Sequence, residues 1–594
     1  MNKDLKSIIL VVNQFRYILT KKQKRNAGIL FLMTIVAALL EMLGVSLLLP
    51  LIQVLLSPEE LLQNKYIGSI MEFFNIKGNQ GIGIFFGIAI ALVYIGKNAY
   101  MVFFNYEKAL YGSSVQRELS VRIMKSYMQR NYTFFMGKSI AELQRGAVND
   151  VYATYVLLSN AMSALTDGVM VASLGIVMLC TDWTMTLGIM ALALVCFFGM
   201  FGIFRKTMQR IRDVYNEQLV ATGNVILQAF NGIKEIQIMR RQKYFSEHYE
   251  KEYKKRQSAE IRQGVANSIP PYLIEAVCVC GLLFIVLFKI QTNGNAVDEV
   301  SKLAIFAVGA FRILPALGRI TANANMVVFQ CPMLNNVYRS IREVDEYEKT
   351  HKSQEMDNIE GTTLQHGLKL ENVTWRYPGS VKNILDSLSL EIKKGESVAF
   401  IGQSGAGKTT LADVILGILH PQSGTVCVDG QEVYTIPNTW SRMIGYVPQN
   451  AFLTNGTIRE NVAFGIERDD ISDEQIWNAL EQAQLKEFVQ ALPDGLDTKL
   501  GERGIRFSGG QRQRIVIARA LYYDPEILVL DEATSALDNE TETAVMEAID
   551  FLQGSKTLII IAHRLSTIKN CDKIYEIKDG KAVLRVKEEV LADI

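Results

Sequence analysis

Gly402-Gln403-Ser404-Gly405-Ala406-Gly407-Lys408-Thr409 reads GxxxxGKT; it follows an apolar run, Ser397-Val398-Ala399-Phe400-Ile401, and opens a helical pattern. In that strand–loop–helix setting the glycines let backbone N–H groups curl around phosphate at a helix N-terminus. Lys408 neutralises the outer phosphate oxygens and Thr409 offers its hydroxyl to Mg²⁺, with Thr410 counted in the same nucleotide-binding set. A second apolar strand, Ile527-Leu528-Val529-Leu530, ends in Asp531 and Glu532. These two carboxylates suit different tasks: Asp531 holds the metal, directly or through water, and Glu532 polarises the attacking water as general base. The run from Leu558 to Ala562 delivers His563 to the edge of the same site, within reach of a γ-phosphate.

The elements that must position these residues occupy the C-terminal part of the chain. From Leu368 onward, short β-branched runs alternate with helical ones, the pattern of an α/β domain. Before it, residues 340–366 are polar and charged and suit a linker between a domain over 1–339 and one over 367–594. A chain of 594 residues is too long for one compact core. Its 49% apolar content is high for a soluble protein while its 21% charged content is ordinary, so one part must be greasy and the other not. The net charge of +1 gives no field that would gather nucleic acid, and none is expected as a partner. Seven scattered cysteines form no disulfide framework or zinc pattern.

The greasy part contains six stretches long and apolar enough to span a membrane, at about 28–56, 81–106, 154–181, 185–205, 269–292 and 303–330. Basic residues crowd the segment 107–150 and are missing from the 182–184 turn, which places the N-terminus, both long loops and everything after residue 331 in the cytosol. The long loops keep helical patterns beyond the bilayer. Their tips, Asn131-Tyr132-Thr133-Phe134-Phe135 and Gly232-Ile233-Lys234-Glu235-Ile236, carry exposed apolar residues that suit docking. Ser57-Pro58-Glu59-Glu60 is a helix start, followed by an apolar face through Phe74, so a short external helix is expected near 57–75.

With these motifs the C-terminal domain resembles the ATP-binding cassette (ABC) family along its whole length, and the chain as a whole resembles half of an ABC exporter. The implied fold is a polytopic α-helical membrane domain of six spans fused to an α/β P-loop nucleotide-binding domain. The resemblance implies further roles. Tyr377 looks like the aromatic that stacks on adenine, and Gln449, in Tyr446-Val447-Pro448-Gln449, like the glutamine that senses Mg²⁺. Ser508-Gly509-Gly510-Gln511 matches the family signature, Ser535-Ala536-Leu537-Asp538 its D-loop, and Gly501-Glu502-Arg503-Gly504 an exporter-type stretch facing the membrane domain. Phe507 departs from the usual leucine before the signature. In this family the signature caps ATP held by the other subunit, so one chain carries two half-sites. A homodimer with ATP and Mg²⁺ in both sites is the simplest assembly, and a heterodimer is the alternative.

Charges inside the membrane are costly and usually face a bundle interior or cavity. Arg312 and Arg319 lie seven apart on the sixth span, hence on one helix face, and Lys97 lies on the second. Counting from predicted helix ends puts Glu41 and Asp167 near the depth of Arg312, and Lys97 nearer that of Arg319. These cations either form structural ion pairs or bind an anionic headgroup, since arginine forks suit phosphate oxygens. Phe311 to Arg319, the external helix and the Gly232 tip resemble bacterial flippases of lipid-linked oligosaccharides. That resemblance implies an inner-membrane protein moving a polyprenyl diphosphate glycan outward, its pyrophosphate near the arginines. A general exporter of lipids, drugs or peptides is the alternative, and a non-transporting ATP-driven gate a more distant one.

Overall fold

The computed structural model describes residues 2–46, 78–181, 183–293, 296–351, 363–501, 504–532, 539–562 and 568–593. The expected external helix, His563 and Asp538 lie outside these residues, as does the side chain of Arg312. Two compact units emerge: Met1–Gln129 with Lys138–Glu348, and Arg130–Gly137 with Lys349–Ile594.

The first unit is helical. Its long helices are Lys21–Ser46, Gly78–Gln129, Asp150–Thr181, Trp183–Asn231, Gln242–Asn293 and Ala296–His351. At 1.5 Å per residue the 52 residues of Gly78–Gln129 extend about 78 Å, more than twice a ~30 Å hydrocarbon core. The helices therefore continue well past a bilayer, as their sequence patterns predict. Four segments are long and apolar enough to cross one, by length and composition: Lys21–Gly44, Gly87–Gln129, Ile140–Leu179 and Thr186–Asn231. The fifth and sixth expected spans fall on the continuous helices Gln242–Asn293 and Ala296–His351. The last helix also runs on through His351, so the first residues of the stretch read as linker are helical.

Large aliphatic side chains such as Leu92, Ile95, Val195 and Ile203 stand two-thirds exposed, the dress of a helix facing lipid. Inside, Phe104, Val115, Ile123, Val151 and Leu157 pack with Leu334, Val337 and Ile341 of the last helix. The N-terminal helix Asn2–Ile18 is tied to the same place by Gln14 Nε2, which donates to Asn335 Oδ1 at 3.0 Å. At Gly318 the sixth helix comes very close to the fifth: a Cβ there would lie 2.8 Å from Pro271 Cβ.

The second unit holds two sheets. A four-stranded antiparallel sheet has the order β2-β1-β4-β5, from Leu385–Lys393, Gly367–Trp375, Ser423–Val428 and Gln431–Glu432. The larger sheet has the order β10-β9-β3-β8-β7-β6. Its strands are Lys581–Arg585, Lys573–Lys578, Ser397–Ile401, Thr557–Ile561, Ile527–Asp531 and Ile444–Val447, all parallel except the edge pair β10 and β9. β3, β7 and β8 are buried nearly throughout, as continuous apolar runs in a parallel sheet must be. Separate apolar clusters form on its two faces, one around Leu480, Ile515 and Leu558 and the other around Trp375, Phe400 and Leu411.

Candidate functional site

In a parallel sheet, ligands bind beyond the carboxyl ends of the strands. Phe400 and Asp531 both pair with Ile561, and Val447 pairs with Leu530, so β3, β8, β7 and β6 end at one edge. The phosphate loop, Glu532 and Gln449 leave those ends and share that edge.

The loop's backbone needs its glycines. Gly402 has φ +142° and a Cβ there would come within 2.5 Å of the Ile577 carbonyl oxygen; Gly407, at φ +103°, would meet Ile384 at 2.9 Å. Gly407 starts the helix Lys408–Ile415, leaving free N–H groups at its N-terminus. Gln403, Ser404, Gly405 and Thr409 are exposed, whereas Lys408 is buried. Lys408 Nζ donates to the carbonyl oxygens of Gly402 and Gln403 at 2.8 and 3.1 Å. Burial lowers its pKa, against the upward pull of Glu532 and Asp531. Thr410 is buried with its hydroxyl 3.5 Å from that of Tyr377, so it backs the aromatic as much as the phosphates. The Tyr377 ring stands edge-on to Trp375, 4.6 Å between centres, and is 42% exposed, leaving it open to a flat base.

Asp531 ends β7 almost fully buried. Glu532 follows at φ +44°, a left-handed conformation unusual for a side chain other than glycine, and its N–H donates to the Ile561 carbonyl at 3.1 Å. That turn carries its carboxylate to Gln449, whose Nε2 donates to Glu532 Oε2 at 2.6 Å. The structure thus joins two residues that sequence spacing leaves 83 positions apart. Thr409, Gln449 and Asp531 bring a hydroxyl, an amide oxygen and a carboxylate to this edge, oxygen donors of the kind Mg²⁺ prefers. β8 ends at Ile561 on the same edge, two residues before His563.

The signature lies at the start of the helix Gly509–Leu521. Ser508 and Gln511 close a capping box: Gln511 N–H donates to Ser508 Oγ at 3.3 Å and Ser508 N–H to Gln511 Oε1 at 2.9 Å. Phe507 is buried against Phe488, 6.0 Å between ring centres, so its departure from leucine is absorbed by packing.

Three residues of the site escape sequence reasoning. Gln513 is buried on the signature helix and donates through Nε2 to the Pro448 carbonyl at 3.2 Å, fixing the backbone before Gln449. Its signal is a second glutamine on the buried face of that helix. Asp413, on the phosphate-loop helix, has its pKa pushed up to about 6, by burial first and then by Asp531. Tyr446 is held above its ordinary pKa by burial, then by Asp531, Asp413 and Tyr132. Tyr132 belongs to the first loop tip, where Tyr132–Met136 forms a short helix grouped with the second unit. The second tip forms the helix Ile233–Ile238 in the first unit, with Ile236 buried and Ile238 exposed.

The candidate substrate residues with described side chains are found in ion pairs, one of the two arrangements their positions allow. Lys97 is buried and bonded to Glu41, Nζ to Oε2 2.8 Å, with its ammonium 4.7 Å from the Tyr94 ring centre. Its charge is neutralised inside the unit. Arg319 pairs with Asp167, its Nη2 donating to Oδ1 at 2.7 Å and its Nε to Oδ1 and Oδ2 at 3.1 and 3.2 Å. Glu41 thus meets Lys97, and Asp167 meets Arg319, across depths that counting along straight helices sets apart, because such counting ignores tilt and the reach of long side chains. Arg319 nonetheless keeps 53% of its side chain exposed. Nearby, an apolar cavity of about 300 Å³ is lined by Val171, Met178, Phe197, Cys278, Leu314 and Leu317 among others.

Comparison with known proteins agrees with this arrangement. Residues 385–535 match the ABC transporter family and residues 43–308 the ABC transporter transmembrane region. An ATP-dependent lipid A-core flippase of Ralstonia nicotianae is 31% identical over 487 residues, 80% of each chain. A multidrug resistance ABC transporter ATP-binding and permease protein of Lactococcus lactis is 29% identical over 499 residues, 83% of this chain and 82% of that one. Among solved structures, a bacterial Atm1-family ABC exporter with ATP bound is similar in fold, with TM-score 0.71 and 22% identity over 96% of both chains.

Proposed function

The chain belongs to the ABC transporter family, as an exporter half-transporter with a membrane-spanning domain and an ATP-binding ATPase domain on the cytoplasmic side; on that premise we propose that it flips a lipid-linked oligosaccharide. The substrate would be a polyprenyl diphosphate glycan, moved from the inner to the outer leaflet. One observation carries this reading: Arg319, on a membrane-domain helix, is held by Asp167 in fork geometry and still half exposed. A guanidinium held through Nε and Nη2 and open on its Nη1 side keeps donors for a diphosphate oxygen without giving up its partner. Flippases of another sugar-bearing lipid, lipid A-core, among the relatives support it.

In this reading residues 1–339 form six spans with their external helix and residues 367–594 the nucleotide-binding domain, paired in a homodimer. Each phosphate loop would work with the partner's signature, Ser508 and the amides of Gly509 and Gly510 facing the γ-phosphate, beside Gln511 and Asp538. Tyr377 stacks on adenine; Gly402 to Gly407, Lys408 and Thr410 cradle the phosphates. Thr409, Gln449 and Asp531 would hold Mg²⁺, which neutralises the phosphate charge that develops during transfer. Glu532, oriented by Gln449, takes the proton of the attacking water, and His563 holds the γ-phosphate. Arg312 would join Arg319 at the headgroup.

The apolar cavity beside Arg319 favours a second reading, export of a hydrophobic drug, lipid or peptide, as the multidrug relative's name suggests. ATPase assays of the reconstituted protein separate the two. A short polyprenyl diphosphate oligosaccharide should stimulate wild type and leave Arg319→Ala unmoved at unchanged basal rate. Stimulation by hydrophobic cations alone would favour the second reading.

A further inference from the structure

The first unit has another cavity, of about 350 Å³, among the helices Asp150–Thr181, Trp183–Asn231, Gln242–Asn293 and Ala296–His351. Its character is opposite to that of the apolar one. Amides of Asn216, Gln263 and Gln330 line it together with the rings of Tyr152 and Tyr215. Its charges are matched locally. Arg145 lies 3.9 Å from Asp150; Arg256 Nε donates to Glu260 at 3.0 Å while its guanidinium lies 5.6 Å from the Tyr215 ring centre. An anion would have to displace these partners, whereas a neutral polyhydroxyl ligand would not.

Polar capacity is left over in this cavity. Gln330 is only 7% exposed and its Oε1 has no hydrogen-bond partner; Arg145 Nε has none either. Gln263 Nε2 donates to the Met326 sulfur at 3.3 Å, a weak acceptor. Buried amides are normally paired; Gln330 lines the cavity with its Oε1 turned into the packing, and a rotation of the amide would bring that oxygen to a ligand's hydroxyl. Amides spaced between aromatic faces suit a sugar, whose hydroxyls pair with amides and whose C–H faces lie on rings.

We propose that this cavity is a carbohydrate subsite. Resting on the flippase reading, it receives sugar units of the glycan while the diphosphate lies at Arg319, eleven residues and about 16 Å before Gln330 along the same helix.

Binding calorimetry on the full chain in nanodiscs tests it with three probes: a short polyprenyl diphosphate carrying chitobiose, the same lipid without sugar, and free chitobiose. Wild type should bind the glycosylated lipid roughly fivefold more tightly than the bare one, the worth of about one net hydrogen bond. Gln330→Met and, separately, Gln263→Leu should bring that ratio close to one while leaving bare-lipid affinity and basal ATPase unchanged. Equal binding of the two lipids by wild type, or a ratio that survives both substitutions, would overturn the subsite and leave the flippase reading standing. Failure of both lipids to bind would overturn both. Free chitobiose bound as tightly as the glycosylated lipid would overturn the assignment to a lipid-linked source.

Discussion

The nucleotide edge and the membrane-domain charges are built on opposite plans. At the edge, each functional group leaves the end of a buried parallel strand, so backbone register fixes where Lys408, Asp531 and Glu532 stand. In the membrane domain, Lys97 and Arg319 sit on long helices, and their partners Glu41 and Asp167 are decided by how four separate helices pack. Chemistry tied to strand ends is local in sequence; chemistry tied to helix packing is not.

That difference governs how each region should respond to damage. The largest effect is expected at the edge: Glu532→Gln keeps the shape and removes the base, lowering ATP turnover by about 10²–10⁴-fold in a steady-state ATPase assay. A loss below tenfold would assign the water to another group and weaken the contrast. In the membrane domain the corresponding blow falls on folding. Glu41→Leu leaves Lys97 charged and buried, costing about 3–5 kcal/mol, whereas Glu41→Leu with Lys97→Met should recover most of it. Thermal unfolding in detergent measures both variants. If Glu41→Leu unfolds as wild type does, Lys97 has a second outlet for its charge and becomes a substrate candidate again.

Smaller effects sharpen the picture of the edge. Gln513→Leu removes the bond to the Pro448 carbonyl and should slow ATP turnover severalfold while nucleotide affinity holds. A change in affinity alone would place Gln513 with the fold rather than with Gln449. The smallest effect concerns Asp413. Its carboxyl, raised to about 6, binds a proton more readily folded than unfolded, so folded stability falls as pH rises from about 4 through 6 and is lowest above. Asp413→Asn should raise the melting temperature by a few degrees at pH 7.5 and change it little at pH 4; equal shifts at both pH values would count against burial as the cause.

Much of the edge is legible in sequence because its glycines, lysine and carboxylates fall beside apolar strands within a few residues of each other. The Gln449–Glu532 bond and the support from Gln513 are not, since they depend on which strands neighbour one another. Positive charges in the membrane part are equally visible as letters. Their pairing is hidden by tilt, by proline and glycine at close crossings such as Pro271 with Gly318, and by side chains that reach a turn along the helix. The tip at Tyr132 groups with the second unit while Tyr132 itself stays half exposed, so its apolar residues mark the place without showing how it is covered.

The central claim is that ATP hydrolysis drives a diphosphate-linked glycan across the bilayer past Arg319. The most direct measurement is translocation itself, in proteoliposomes loaded with a fluorescent polyprenyl diphosphate oligosaccharide whose exposed fraction is quenched from outside. The account predicts ATP-dependent change in the quenchable fraction for wild type, none for Glu532→Gln, and a rate lowered at least tenfold for Arg319→Ala, the order expected when a charge-assisted contact is lost. An unmoved lipid in vesicles whose wild-type protein hydrolyses ATP, with a hydrophobic cation carried instead, would contradict it.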